Sequence, residues 1–248
     1  MDAAVHKTHR AHTDHWWFRA RREIFDAVLR NCTELPSKAR ILDIGPGSGI
    51  NLPVLEPLGK VTIVDCDFES AKSCAASKAG VSQGDAERLP FVSGSFELVC
   101  ALDVLEHLDD DSAALEEMLR VTASGGYLLL TVPAWPILWG RQDVLSHHKR
   151  RYRRAELKKR LRDSGFAIQR LTFINAILFP AIFVIRVLSR PLLSRQVKGD
   201  KSDFDVKAPF GLDSLLFRLF ASEANWVSSR NLPFGVSILA VCRKPADL

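Results

Sequence analysis

The chain has 248 residues, 47% of them hydrophobic, and a formal net charge of +5 at pH 7. That length holds one large α/β domain with a modest insertion, and the apolar share is enough to bury a core. Five cysteines, Cys32, Cys66, Cys74, Cys100 and Cys242, are scattered and form no C-x-x-C pair, which excludes a disulfide framework and a structural zinc site and suits a reducing cytoplasm.

In chain order, the stretch from Met1 to His15 is polar, with His6, His9, His12 and His15 recurring every third residue. It has no apolar h-region, so no secretory signal is expected. Histidines at that spacing, without a carboxylate or cysteine framework, make a poor tetrahedral site, and no metal is expected. Trp16, Trp17 and Phe18 follow, either as a lid over a pocket or as packing against the sheet edge. Arg22 to Asn31 predicts a helix, with Ile24, Phe25, Val28 and Leu29 on one stripe. Apolar runs predict strands near residues 40–44, 61–65, 80–83, 96–101 and 126–132. Helices fill the gaps over Ser48–Leu58, Glu69–Ala79 and Ser112–Val121. A further helix, Arg154–Ser164, is closed by Gly165. Phe166–Phe173 then predicts a sixth strand and Gly235–Cys242 a seventh.

This rhythm predicts an α/β fold, doubly wound, with a seven-stranded, mostly parallel sheet and helices on both faces. The expected organisation is an N-terminal helical lid over 1–37 and a cofactor-binding core over 38–173. A helical insertion over 174–233 and the last core strand in 234–248 complete it.

The chemistry concentrates at residues 41–49, Ile-Leu-Asp-Ile-Gly-Pro-Gly-Ser-Gly. Gly45, Gly47 and Gly49 let the backbone turn sharply and approach a ligand with no Cβ in the way. Asp65 closes the next apolar run, where a carboxylate can accept hydrogen bonds from both ribose hydroxyls. Asp67 is the alternative for that task. The dinucleotide fingerprint G-x-G-x-x-G is not met, because the third glycine comes one position early and Ile50 stands in its place. Asp43, just before the loop, suits a ligand with a cationic amine and no pyrophosphate. S-adenosyl-L-methionine, with an ammonium, a sulfonium and a ribose, is such a ligand.

Three further stretches stand in order behind the loop: Gly84-Asp85-Ala86-Glu87-Arg88-Leu89-Pro90-Phe91, Phe96 to His107, and Gly125 to Pro133. With the loop they resemble the motifs of the class I S-adenosylmethionine-dependent methyltransferases, and in particular a bacterial subgroup acting on small molecules. The resemblance spans roughly residues 38–135 and implies a Rossmann-like sheet with S-adenosyl-L-methionine as cofactor. It implies Asp43 at the methionine amino group, Asp65 at the ribose, and Asp85 and Ala86 at the adenine. Leu102, Asp103 and His107 then lie at the mouth of the pocket; Asp103 either faces the sulfonium or caps the next helix. Glu97 departs from the family's usual Asp, and Cys66 from a small or apolar residue.

Acceptor residues are expected after the fifth strand. Trp135-Pro136-Ile137-Leu138-Trp139-Gly140 is aromatic and apolar, and His147, His148 and Tyr152 follow. His147 and His148 are candidate bases and Tyr152 a candidate orienting hydroxyl; the alternative is a solvated loop leading into a helix. Residues 141–170 carry eleven Lys/Arg against three Asp/Glu. They form either a surface for an anionic partner or a solvated face with internal salt bridges. The run Ile177 to Ile185 is apolar and too short to span a bilayer, and Arg186, Arg190, Arg195 and Lys198 follow it. It lies in an anionic membrane surface, covers the active site or forms a dimer contact. Nucleic acid is not an expected partner.

The expected activity is methyl transfer by in-line displacement to a non-protein acceptor, a glycan, lipid or lipid-linked small molecule, at oxygen. The expected location is the cytoplasm or the inner face of the membrane. The alternatives are a peripheral membrane-binding or scaffold protein on a retained methyltransferase fold and an NAD(P)-dependent reductase.

Overall fold

This computed structural model describes residues 14–74, 79–193 and 211–246. His6, His9, His12, Arg195 and Lys198 lie outside the described residues, as does part of the helix expected over Glu69–Ala79.

The seven strands are β1 (Ala39–Ile44), β2 (Gly59–Asp65), β3 (Gly80–Gln83), β4 (Phe96–Leu102), β5 (Thr122–Pro133), β6 (Ala167–Ile174) and β7 (Ser237–Arg243). They lie in one sheet in the order β3-β2-β1-β4-β5-β7-β6, and only β7 runs antiparallel to its neighbours. Leu42, Val64, Val99 and Leu128 face one apolar cluster, while Ile41, Ile63, Leu98 and Leu129 face the other. Strands covered on both faces cannot alternate apolar with polar, which is why they read as continuous apolar runs. The chain order reverses between β1 and β4, so the crevice at their carboxyl ends is where such sheets receive ligands.

Helix α1 spans Trp16–Cys32, longer than the stripe predicted. His15 explains the earlier start, because its Nδ1 accepts from the Trp17 N–H at 3.3 Å and caps the helix. The buried stripe of α1 holds Ala20, Ile24, Phe25, Val28 and Leu29, and also one cation, Arg21. After the glycine loop, α2 covers only Leu52–Leu55 instead of the expected Ser48–Leu58. Gly47 and Gly49 have φ of +58° and +74°, which a right-handed helix cannot accommodate. Helix α3 is Phe68–Ser73 and α4 is Asp111–Val121. After β5 come α5 (Arg141–Leu145) and α6 (Arg154–Asp163). Between β6 and β7 lie α7 (Phe179–Leu193), α8 (Leu212–Ala221) and α9 (Ala224–Ser229).

Helices α8 and α9 pack on α1. The rings of Trp16 and Trp17 lie 6.5 and 5.1 Å from that of Phe220 on α8. The aromatic N-terminus is therefore joined to the segment between β6 and β7. Among the described residues, no helix is long and apolar enough to cross a membrane.

Candidate functional site

The tips of β1 and β2 carry two buried acids. Asp43 is 1% exposed and its Oδ2 has no hydrogen-bond partner. Burial alone pushes its pKa up to about 7. Asp65 is also buried; its Oδ1 accepts from the Asp67 N–H at 3.0 Å, and its Oδ2 is unpartnered. The Ser48 hydroxyl between them in sequence is buried and unpartnered as well. The Gly45 N–H donates to the Val64 carbonyl at 2.8 Å, which ties the loop to β2.

The glycines of the loop differ in what surrounds them. A Cβ on Gly45 would lie 3.0 Å from Val104, and one on Gly49 would lie 2.9 Å from Leu52. At Gly47 a Cβ would meet nothing within 4 Å, so its backbone borders open space. Asp67, the alternative ribose ligand, follows Asp65 closely, and its own N–H donates to Asp65 Oδ1 at 3.0 Å. Its side chain caps α3 by accepting from the Glu69 N–H at 3.0 Å. Asp85 is exposed and accepts from the Glu87 N–H at 2.9 Å, closing its turn, while Ala86 and Leu102 are buried. Glu97 uses its extra methylene to reach β1, where it accepts from the Arg40 N–H and guanidinium, each at 2.6 Å.

A second group of charges gathers at the ends of β4 and β5. Asp103 has φ of +60° and accepts from the Arg21 guanidinium and, at 3.0 Å, from the Thr131 hydroxyl. Burial works against its charged form, but Arg21 outweighs burial and holds its pKa below the usual carboxylate range. Of the two roles expected for Asp103, helix capping falls instead to Asp110, whose carboxylate accepts from the Ser112 and Ala113 N–H groups at the start of α4. Three residues on from Asp103, Glu106 is fully buried with neither carboxylate oxygen hydrogen-bonded. Burial, then the nearby Asp103 charge, pushes its pKa well up.

His107 ends the same short 3-10 turn, Leu105–His107. Burial, then the neighbouring His148, lowers its pKa to about 4. The rings of His107 and His148 meet edge to face at 4.8 Å. His148 in turn places Nδ1 2.9 Å from Asp143 Oδ1 and Nε2 3.9 Å from Glu106 Oε1. Asp143 is fully buried and fully engaged: it also accepts from the Gly140 N–H at 2.8 Å and from Arg151 at 2.7 Å. Burial opposes its charge, yet the His148 bond and Arg151 prevail and hold its pKa at about 2.

The other residues expected at the acceptor side do different work. Tyr152 is not a hydroxyl lining a pocket: it is fully buried, and its O–H donates to Asp111 at 2.7 Å. Burial and that acid push its pKa up, so it is a structural strut between the start of α4 and the loop before α6. His147 is exposed on a turn with φ of +54°. Trp135 stacks on Phe173 at 5.1 Å and donates its indole N–H to the Gly235 carbonyl at 3.0 Å. The basic run is largely spent inside the chain: Lys149 pairs with Asp109, Arg150 donates to the Leu108 carbonyl, and Arg154 donates to the Leu171 carbonyl.

Arg21 and Thr131 gather around Asp103, and Glu106 and Asp143 around His148, and none of the four was singled out in the sequence. Two of them left a signal there. Arg21 is a cation on the apolar stripe of α1, and Glu106 stands directly before a histidine at the end of a buried strand.

The family model described as a methyltransferase domain matches residues 16–171. The chain belongs to that family. The match spans the glycine loop, both orphaned acids and the Glu106–His148 cluster. The demethylmenaquinone methyltransferase of Beutenbergia cavernae is 36% identical over 103 residues, 39% of this chain and 42% of that one. The enzyme of the same description from Mycolicibacterium vanbaalenii is 34% identical over 119 residues, 47% of this chain and 48% of that one. The chain thus spans about half the length of the curated relatives it matches. Among solved structures, an S-adenosylmethionine-dependent methyltransferase from Mesorhizobium loti superposes with a TM-score of 0.55 at 16% identity, covering 87% of this chain and 95% of that one. The cyclase SpnF gives a TM-score of 0.58 at 19% identity, covering 90% and 80%. These likenesses show the fold, a class I Rossmann-like sheet.

S-adenosylmethionine is the cofactor expected from the family, and the residues fit it. Two buried carboxylate oxygens with no protein partner, Asp43 Oδ2 and Asp65 Oδ2, match a ligand that brings one cationic amine and two hydroxyls. Gly47 adds a stretch of backbone with open space before it.

Proposed function

We propose that this chain transfers the methyl group of S-adenosylmethionine to a small non-protein acceptor, a lipid or lipid-linked molecule, at oxygen. The observation that carries the reading is the pair of orphaned carboxylate oxygens at the tips of adjacent strands, Asp43 on β1 and Asp65 on β2, flanking the open backbone at Gly47. A scaffold that bound no donor would have no reason to keep two such oxygens buried at a cost in stability. When bound, the donor supplies a methyl group already activated on a sulfonium.

The chain's own residues then have three tasks. Asp43, in its carboxylate form, holds the ammonium, and Asp65 holds the ribose. The Arg21–Asp103–Thr131 network fixes the end of β4 opposite them. Proximity and orientation of this kind can lower a barrier by about 7–11 kcal/mol. The acceptor enters from the β4–β5 side, where Glu106, His107 and His148 are the groups able to act on a hydroxyl.

The lipid-linked class is favoured over a glycan by two observations. Ile177, Val184 and Ile185 around α7 are exposed apolar side chains, and the relatives matched act, by their names, on demethylmenaquinone. The fold alone leaves the reaction open, since a cyclase shares it.

Calorimetry with S-adenosylmethionine tests the core of the reading: binding in the wild type, lost in Asp43→Asn, is the expected result. No binding by the wild type would leave the scaffold and reductase readings. NADPH fluorescence in the same cell would expose a reductase. Flotation with anionic liposomes, repeated with Val184→Asp and Ile185→Asp, tests the lipid part; equal flotation of both forms would remove it.

A further inference from the structure

We propose that Glu106, His107 and His148 bind a divalent transition-metal ion beside the donor cleft, and that the ion's open positions take an oxygen of the methyl acceptor. The acceptor's part rests on the methyltransferase reading; binding of the ion stands on this chain alone.

One carboxylate oxygen and two imidazole nitrogens lie within 4.8 Å of one another. The site is empty. Glu106 is wholly buried and neither of its oxygens has a hydrogen-bond partner. The three arginines around the cluster engage other acids: Arg21 pairs with Asp103, and Arg151 and Arg186 with Asp143. A cation between Glu106 and the two histidines would give these buried oxygens the partner that the chain does not supply.

The orientation of His148 points the same way. Asp143 accepts from His148 Nδ1 at 2.9 Å and from Arg151 at 2.7 Å. That fixes the tautomer, leaving the Nε2 lone pair toward Glu106 Oε1, 3.9 Å away. Ligand atoms bound to one ion at about 2.0–2.2 Å lie roughly 3–4 Å apart, so little movement closes the site. A carboxylate behind a ligating histidine is the usual outer-shell partner in such centres. The Lys149 N–H donates to the Glu106 carbonyl at 2.7 Å and joins the turn bearing Glu106 and His107 to the loop bearing His148.

Two nitrogens and one oxygen suit zinc, cobalt, iron or manganese better than magnesium or calcium, which favour all-oxygen shells. Three protein ligands leave positions open, as catalytic rather than structural centres do. The neighbour of the site is the donor loop itself: Val104, two residues before Glu106, packs against Gly45.

The test uses the full-length, metal-stripped chain titrated with Co2+. The expected result is a visible d–d band that saturates at one ion per chain. Glu106→Gln and His148→Ala weaken it by about 100-fold or more. The triple variant His6→Ala, His9→Ala, His12→Ala keeps it, which separates the site from the N-terminal histidines. S-adenosylmethionine binding on the same samples reports folding. Where Glu106→Gln fails that check, His107→Ala replaces it. No band in the wild type, or equal cobalt affinity in wild type and folded variants, overturns the proposal. Cobalt binding without donor binding would sink the methyltransferase reading and leave the metal site standing; the reverse sinks the metal site alone. Catechol added to the cobalt form tests the acceptor's part: a shifted band supports it and an unmoved one removes it.

Discussion

Buried acids at the two ends of the crevice are treated in opposite ways. At the tips of β1 and β2, Asp43 and Asp65 each keep one oxygen unpartnered. Asp111 at the start of α4 and Asp143 on α5 are as deeply buried, yet they are bonded to Tyr152 and Arg160, and to His148, Gly140 and Arg151. A buried acid with its partners supplied by the chain holds the fold. One without them costs stability unless something else supplies the partner. Glu106 sits between these regions in sequence, and both of its oxygens are unpartnered too.

Substitutions can break that contrast. Asp143→Ala should have the largest effect, lowering stability by about 3–5 kcal/mol because it strands buried Arg151; a chemical denaturation curve measures it. Asp43→Asn should instead leave the melting temperature unchanged or raised, and an equal loss in both would erase the distinction. Gly47→Val should reduce donor affinity by at least about 100-fold, near 2.7 kcal/mol, through its positive φ and the space its side chain would fill. Asp65→Ala should cost about 1–3 kcal/mol of donor affinity, read by calorimetry, with little change in stability.

The raised pKa of Asp43 gives the comparison a pH axis. Its folded pKa of about 7 lies above the unfolded value, so folding favours the protonated acid. The stability this group contributes is fully present below the unfolded pKa and is lost as pH rises through about 7. Donor binding needs the carboxylate and should strengthen over the same window, with proton release near pH 6 visible as a buffer-dependent enthalpy. Asp43→Asn should flatten both curves. The smallest effect belongs to Tyr152→Phe, which should cost about 1 kcal/mol in stability and leave turnover at the wild-type rate. A large loss of turnover with intact stability would return Tyr152 to the site.

The donor half was legible because its signals are local. A strand ending in Asp43, alternating glycines and an acid at the next strand end occupy only 25 residues, and backbone geometry translates them directly into a crevice. Strand positions were legible for the same reason, since sheet burial on both faces writes itself as apolar runs. Where local reading failed, the cause was a competing local rule. The helix expected after Ser48 is cut short, with Gly49 left-handed at its start.

The charge clusters at the ends of β4 and β5 were decided by contacts across long stretches of chain. Nothing near Tyr152 in sequence shows that Asp111, 41 residues away, takes its hydroxyl proton as a hydrogen bond. Nor does the helix stripe holding Arg21 reveal Asp103, 82 positions on. The sequence by itself determined the sheet and the glycine loop, because periodicity and turn chemistry act over a few residues, while the class of cofactor came from the family that its motifs resemble. Only the tertiary structure decided which acids are paired and which stay open, because the partner of a buried charge is set by packing of distant elements and not by its neighbours along the chain.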